Sequence, residues 1–285
     1  VTYTNIAGLP QPIVDAITND PYDSKADISV TGLISPPKIR QLTKRHEADI
    51  MQDISDRIYS LLGTSVHYIL DQHGSNGTDP EVFTERRLFV EHNGVRVSGS
   101  MDHHDHGVIS DYKVTSTWAV IDGVKPEWEQ QLNLYAHLCR ANSLPVEGLQ
   151  IVAILRDWQR SQAAKSSDYP PVPVAVLPVP LWDADKAAAY FSERIELHMA
   201  AEVELPDNIP HCTPEERWAR PTTWAVVKPG GKRAVRVLDT KEEAAEWGAG
   251  GEYEIQERPG ADTRCDSYCA VNQWCSYYKA KGGEE

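Results

Sequence analysis

The chain has 285 residues, enough for one large domain or for a core with a smaller module attached. Its composition is that of a soluble globular protein, with no apolar run near the roughly 20 residues that span a bilayer. A net charge of −14 argues against non-specific coating of nucleic acid, which needs Lys and Arg, but leaves room for an enzyme with a local basic track.

Val1 to Pro12 has neither a basic start nor an apolar core, so no signal peptide is read there and a cytoplasmic protein without a membrane partner is expected. Pro10 to Thr18 carries a short helical pattern. From Pro36 to Asp71 apolar residues recur at helical spacing, among them Ile50, Ile54, Ile58 and Val66, with Gly63 expected to mark a break or a close-packing point. Ser75 to Pro80 reads as a loop. Glu85–Val90, Val95–Met101 and Val108–Thr115 are short, β-rich and separated by Asn93-Gly94 and His106-Gly107, which predicts three consecutive antiparallel strands. Pro126 to Ala141 is helical, Gln150 to Leu155 is a strand, and Tyr169 to Trp182 is proline-rich and extended. Asp183 caps a long helix that reaches about Val203. Thr222 to Glu257 reads as a β-β-α-β unit: Trp224–Val227, Ala234–Leu238, a cap at Asp239/Thr240, a helix at Glu242–Trp247, then Tyr253–Gln256.

The chemistry concentrates in Gly99-Ser100-Met101-Asp102 and, after a short turn, Ser110-Asp111-Tyr112-Lys113. Side chains two apart on a strand share a face, so Asp111 and Lys113 point the same way, and a tight hairpin brings Asp102 beside them. Two carboxylates a few ångströms apart do not both stay ionised unaided, and a bound Mg²⁺ or Mn²⁺ removes the conflict. Such an ion polarises a phosphodiester, and a lysine beside it can orient the attacking water. A surface hairpin carrying a salt bridge is the bland alternative. His103, His104 and His106 are read as polar turn residues.

The segment resembles motifs II and III of the PD-(D/E)xK nuclease superfamily, through Asp102 and the Asp-Tyr-Lys at 111–113. Gly63-Thr64-Ser65-Val66-His67 on the preceding helix and Gln131-Leu132-Asn133-Leu134-Tyr135 on the following one resemble its RecB-like exonuclease branch, which has CRISPR-associated and phage members. The likeness spans about residues 63–158. It implies that His67, Asp102, Asp111 and the Tyr112 carbonyl ligate a metal, that Lys113 is catalytic, and that Gln131 and Tyr135 position DNA or Lys113. Glu85 is a further candidate for the site, or simply an exposed strand residue. The superfamily's namesake proline is missing before Asp102, where Met101 stands, as is common in this branch.

Cys265-x3-Cys269-x5-Cys275, with Cys212 upstream, offers four soft ligands. They suit structural Zn²⁺ or iron–sulfur chemistry, and the resemblance favours a [4Fe–4S] cluster, although many relatives place the distant cysteine before the nuclease motifs. Cys139 reads as a small core residue.

The expected architecture is α/β: a restriction-endonuclease-like core with a mixed central β-sheet flanked by helices over residues 1–215, a β-β-α-β insertion at 216–259, and a metal-pinned C-terminal segment at 260–285 that packs back on the core. The expected activity is divalent-metal-dependent DNA hydrolysis, exonucleolytic on single strands or ends, in recombination, repair or phage DNA processing. Lys38 and Arg40 are candidate DNA contacts. The rivals are a structure-specific endonuclease with the same site and a non-catalytic nucleic-acid-binding subunit.

Overall fold

The computed structural model describes residues 1–19, 25–74 and 79–282, and the loop expected at 75–80 lies mostly outside them. The chain is α/β, with a mixed central sheet flanked by helices. It divides into two units: residues 1–35 with 51–203, and residues 36–50 with 204–285. Among the described residues no helix is long and apolar enough to cross a membrane.

In the first unit β1 (Ile28–Ser29) leads into α1 (Val30–Ile34), where the Ser29 side chain accepts from the Gly32 N–H and caps the helix. A longer helix, α2 (Ile58–Gly74), precedes the meander β2 (Val82–His92), β3 (Val95–Asp105) and β4 (Val108–Thr115). Both turns of the meander have two successive residues at positive φ, Asn93 and Gly94 at 51° and 78°, His106 and Gly107 at 43° and 88°. Those are the angles that a two-residue hairpin turn needs to match the strand twist. β3 therefore runs past Asp102, where the sequence reading ended it, to the second turn. After α3 (Pro126–Ala141), β5 (Gly148–Leu155) lies parallel to β4 and β6 (Val174–Val179) antiparallel to β5. The unit's last long helix is α4 (Ala184–Val203), begun by Asp183 Oδ1 accepting from the Lys186 N–H at 2.7 Å.

The pairing of β3 positions the site. One edge of β3 pairs with β2 along its length. The other edge pairs with β1 at Val97–Ser98 and with β4 only at His103–Asp105, so its ladder is interrupted from Gly99 to Asp102. α3 covers this stretch. It is buried on most of its circumference, with Leu132, Leu134, Ala136, Leu138 and Cys139 at 0% exposure, as befits a helix at the centre of a core. Cys139 packs its sulfur 3.3 Å from that of Met101, the core role the sequence suggested. Buried Asn133 on the same helix accepts from the Trp182 N–H and donates to Pro180 O, which fastens the proline-rich segment after β6.

α2 passes through Gly63 without a break, and the space where a Cβ would stand is open. Neither role expected of Gly63 holds: one interior glycine costs about 1 kcal/mol relative to alanine, too little to stop a helix of 17 residues.

The second unit contains the helix Pro37–Arg45 and a three-stranded antiparallel sheet ordered Ala234–Leu238, Thr223–Val227, Glu254–Arg258. The helix Lys241–Gly248, which joins Ala234–Leu238 to Glu254–Arg258 in the chain, starts with a Thr240/Glu243 capping box. The grouping of residues differs from the division at 215 expected from sequence. Leu42 and Ile50 pack with Val271, and Lys38 Nζ donates to Ile209 O at 3.0 Å, so residues 36–50 belong with the C-terminal part of the chain.

Candidate active site

The site forms where β3 and β4 part company. Past the His103–Ser110 pair the Tyr112 N–H donates to Asp102 Oδ2 at 2.7 Å, so a side chain takes the place of a partner strand. His67, on α2, reaches the same point. Its Nδ1 lies 3.3 Å from Glu85 Oε1 and 3.4 Å from Asp102 Oδ1, and its Nε2 lies 3.1 Å from the Tyr112 carbonyl oxygen. One ligand atom each from His67, Glu85 and Asp102 lie within 4.8 Å of one another, which among the described residues marks the group that could hold a metal ion.

Glu85 enters this group at a cost. It has φ of +45° in the middle of β2, a left-handed conformation that disfavours a non-glycine residue by about 1–2 kcal/mol. The Thr84–His103 and Arg86–Met101 pairs lie on either side of it, opposite Asp102. Its backbone carbonyl accepts from Ser100 Oγ at 3.0 Å. Sequence reasoning left Glu85 undecided between the site and the surface. The signal was present: the Asn93-Gly94 turn sets His92 against Val95, and counting back from there sets Glu85 against Asp102.

Although the charges of Asp102 and His67 act on it, Asp111 is not one of the three grouped residues. It is 1% exposed, and its Oδ2 lies 2.6 Å from Lys113 Nζ, an ion pair whose geometry gives that oxygen no hydrogen bond. Its Oδ1 accepts from Gln131 Nε2 at 3.1 Å. Gln131 then links the rest: its Nε2 also donates to Tyr135 Oη at 3.0 Å, and its Oε1 accepts from Lys113 Nζ at 3.2 Å. The sequence-predicted residues Asp111, Lys113, Gln131 and Tyr135 thus form one continuous chain, and His67, Asp102 and the Tyr112 carbonyl a second cluster that Glu85 joins.

Electrostatics follow from this crowding. Hydrogen bonds to Asp102 first and Glu85 second push the His67 imidazole up to about 10, so without a competing cation its ring is an imidazolium. Burial pushes the Asp111 carboxyl up to about 6, against the downward pull of Lys113. A cation at the group would take over the role of the His67 proton, since only a neutral imidazole ligates.

Two expectations need correction. Lys38 does not face a ligand in solution: it is 2% exposed, and its ammonium is spent on Ile209 O, His211 Nδ1 and Ser276 Oγ. A basic helix pattern cannot show this, because the partner carbonyl is 171 residues away in the chain. Arg40, two residues on, is half-buried and also engaged. His103 is not a turn residue either, since it pairs with Thr84 and Ser110 inside β3, and nor is His104. It lies opposite Phe83, stacks on that ring at 4.7 Å and is fully buried, its two nitrogens 2.7 and 3.0 Å from the carbonyl oxygens of Glu81 and Pro145. His106 does occupy the turn and is exposed.

In the second unit Cys212, Cys265, Cys269 and Cys275 border one small cavity of about 20 Å³, with Lys38, Arg217 and Arg264 also on its wall. No three of their sulfurs lie within 4.8 Å of one another. Burial, first among the causes, pushes the Cys212 thiol up to about 12 and the Cys265 thiol up to about 11.

No family model matches the chain, and no curated protein matches it. Among solved structures, one described as "Crystal structure of SSO0001" superposes with a TM-score of 0.43 at 15% identity, covering 73% of this chain and 86% of that one. A likeness this slight carries no argument about function.

Proposed function

We propose that this chain is a divalent-metal-dependent DNA nuclease with a restriction-endonuclease-like core, of the RecB-like exonuclease branch of the PD-(D/E)xK superfamily. One observation carries the reading: the His67–Glu85–Asp102 group and the Asp111–Lys113–Gln131–Tyr135 chain meet at one interruption of the sheet. A bland surface hairpin has no reason to bury Asp111 or to hold Glu85 at positive φ.

The donor set fits a hard cation: two carboxylates gather at the Nδ1 side of the His67 imidazole, while the Tyr112 carbonyl faces its Nε2 and stands outside the group. Bound there, Mg²⁺ or Mn²⁺ supplies a Lewis acid for the phosphodiester and acidifies water. The protein's own groups do the positioning. Glu85 and Asp102 provide the negative charge, and the Tyr112 N–H fixes the Asp102 carboxylate. Asp111 and Gln131 hold the Lys113 ammonium from two sides, so that it orients the attacking water and offsets charge gathering on the phosphate. Tyr135 steadies Gln131.

The same reading gives Cys212, Cys265, Cys269 and Cys275 to a [4Fe–4S] cluster. All four border one small cavity, and four thiolates are the donor set that such a cluster, or a structural zinc, takes.

The test is digestion of end-labelled linear single- and double-stranded DNA and of circular single strands, with Mn²⁺ or EDTA, by the wild type and by Lys113→Ala. Mn²⁺-dependent loss of the linear strands that spares circles, reduced on the order of 100-fold in the variant, is expected. Cut circles move the assignment to an endonuclease, and undiminished cleavage by Lys113→Ala overturns the site.

A further inference from the structure

The strand that carries Asp111 and Lys113, with β5 beside it, leads into a cleft that the catalytic chain does not use. β4 and β5 run parallel and end together at Thr115 and Leu155. Beyond those ends Thr117, Trp118, Asp157, Gln159, Gln162 and Tyr169 wall a cleft of about 450 Å³, within the size range of small-ligand sites. The crevice outside the carboxyl ends of parallel strands is also the usual place for ligands in open α/β sheets. Thr117 lies four residues beyond Lys113, which in extended chain is at most about 14 Å.

The cleft is built rather than accidental. Thr117 is 1% exposed, and both its N–H and its hydroxyl donate to Asp157 Oδ1, at 2.7 and 2.9 Å. The Tyr169 hydroxyl accepts from the Gln159 N–H at 3.0 Å and meets Thr117 Oγ1 at 3.4 Å. Within this frame Trp118 is 67% exposed, an indole left on the surface although the adjoining Ala119 and Val120 are buried. The Thr117 N–H, first among the causes, holds the Asp157 carboxyl below the usual range, so it remains an acceptor at neutral pH.

Those walls reject one half of a nucleotide and suit the other. Asp157 and Asp168 repel phosphate, whereas carboxylates and glutamine amides complement the N–H and C=O groups on the edge of an unpaired base. Indole and phenol rings supply a stacking surface. Positive charge for the adjoining phosphates stands next in the chain: Arg156, which lies 4.0 Å over the Tyr59 ring, and Arg160. In duplex DNA the base edge is already paired and the base face stacked.

Resting on the nuclease reading, the geometry points to this cleft as a subsite for one unpaired nucleobase of the substrate strand, stacked on Trp118 and bound through its amino-bearing edge. The cleft thereby selects single strands or frayed ends over intact duplex.

The experiment is fluorescence anisotropy of labelled oligo-dC, oligo-dT and a duplex on the full chain in EDTA, where no cleavage occurs, with wild type, Trp118→Ala and Gln162→Ala. Trp118→Ala is expected to weaken single-strand binding about tenfold and to leave duplex binding unchanged. Oligo-dC is expected to bind more tightly than oligo-dT, and Gln162→Ala to narrow that gap. Trp118 is largely exposed, so a folding defect is not expected, and circular dichroism of the variant checks this. Single-strand binding by Trp118→Ala equal to wild type, or equal affinity of the wild type for single strand and duplex, overturns the subsite. Either result leaves the nuclease reading intact if Mn²⁺-dependent cleavage still requires Lys113, and loss of that reading shows instead as no cleavage by the wild type.

Discussion

Gly99 offers a sharp test of how the site is held. A Cβ at this position would stand 2.8 and 2.9 Å from Tyr135 Cε1 and Cδ1, and 3.0 Å from Val30 Cγ2. Carbon atoms prefer about 3.5–4.0 Å, so Gly99→Ala requires the tyrosine ring to retreat by roughly 0.6 Å. The ring is not free to do so: Tyr135 is 5% exposed, and its hydroxyl accepts from Gln131, which binds both Asp111 and Lys113. Overpacking of this kind costs about 1–3 kcal/mol, and a displacement passed along to Lys113 is expected to slow hydrolysis tenfold or more, on the order of the penalties known for misplaced groups. The assay is a urea double-mutant cycle of Gly99→Ala and Tyr135→Ala, with cleavage rates measured in parallel. Removing the ring removes the clash, so the double variant should be less destabilised than the sum of the single ones by about 1 kcal/mol or more. Additivity within about 0.5 kcal/mol would refute the steric argument.

Asp111 predicts a pH effect. Its carboxyl is raised to about 6 from an ordinary 3.8, so the folded state binds a proton that the unfolded chain has lost between those values, and its contribution to stability is present below the lower value and falls as pH rises through the upper one. Asp111→Asn, neutral throughout, is expected to need more urea to unfold than wild type at pH 7.5 in EDTA, the difference vanishing near pH 4; a less stable variant at pH 7.5 contradicts the burial argument. Glu85→Gln is expected to weaken Mn²⁺ binding at least about tenfold by calorimetry, comparable with or beyond the loss of an outer-sphere partner, and unchanged affinity removes Glu85 from the ligand set. Protein purified without oxygen is expected to show broad visible absorbance that Cys275→Ser abolishes, whereas a colourless protein that carries zinc would refute the iron–sulfur assignment.

What could be read from sequence depended on how local its cause was. The turns at Asn93-Gly94 and His106-Gly107, the Thr240 cap and the Asp183 cap are fixed by a few adjacent residues, and all stand where the sequence puts them. The pairing of Asp111 with Lys113 follows from strand periodicity, and that of Gln131 with Tyr135 from helix periodicity. Long-range causes were hidden. Nothing near Lys38 announces that its ammonium meets a carbonyl at Ile209, and nothing near His104 announces Pro145. Nothing near Gly99 announces its reason, the ring of Tyr135, which lies on another element.

The membership of residues 36–50 in the C-terminal unit bears on how the chain is made. Leu42 and Ile50 leave the ribosome long before Val271, with which they pack, exists. At 5–20 residues per second that interval is roughly 10 to 45 seconds. During it this stretch, with its helix Pro37–Arg45, lacks the partner that covers its apolar side chains, while the strands and helices before and after it in the chain can already condense. Vectorial synthesis therefore closes the second unit last, at the moment Val271 emerges.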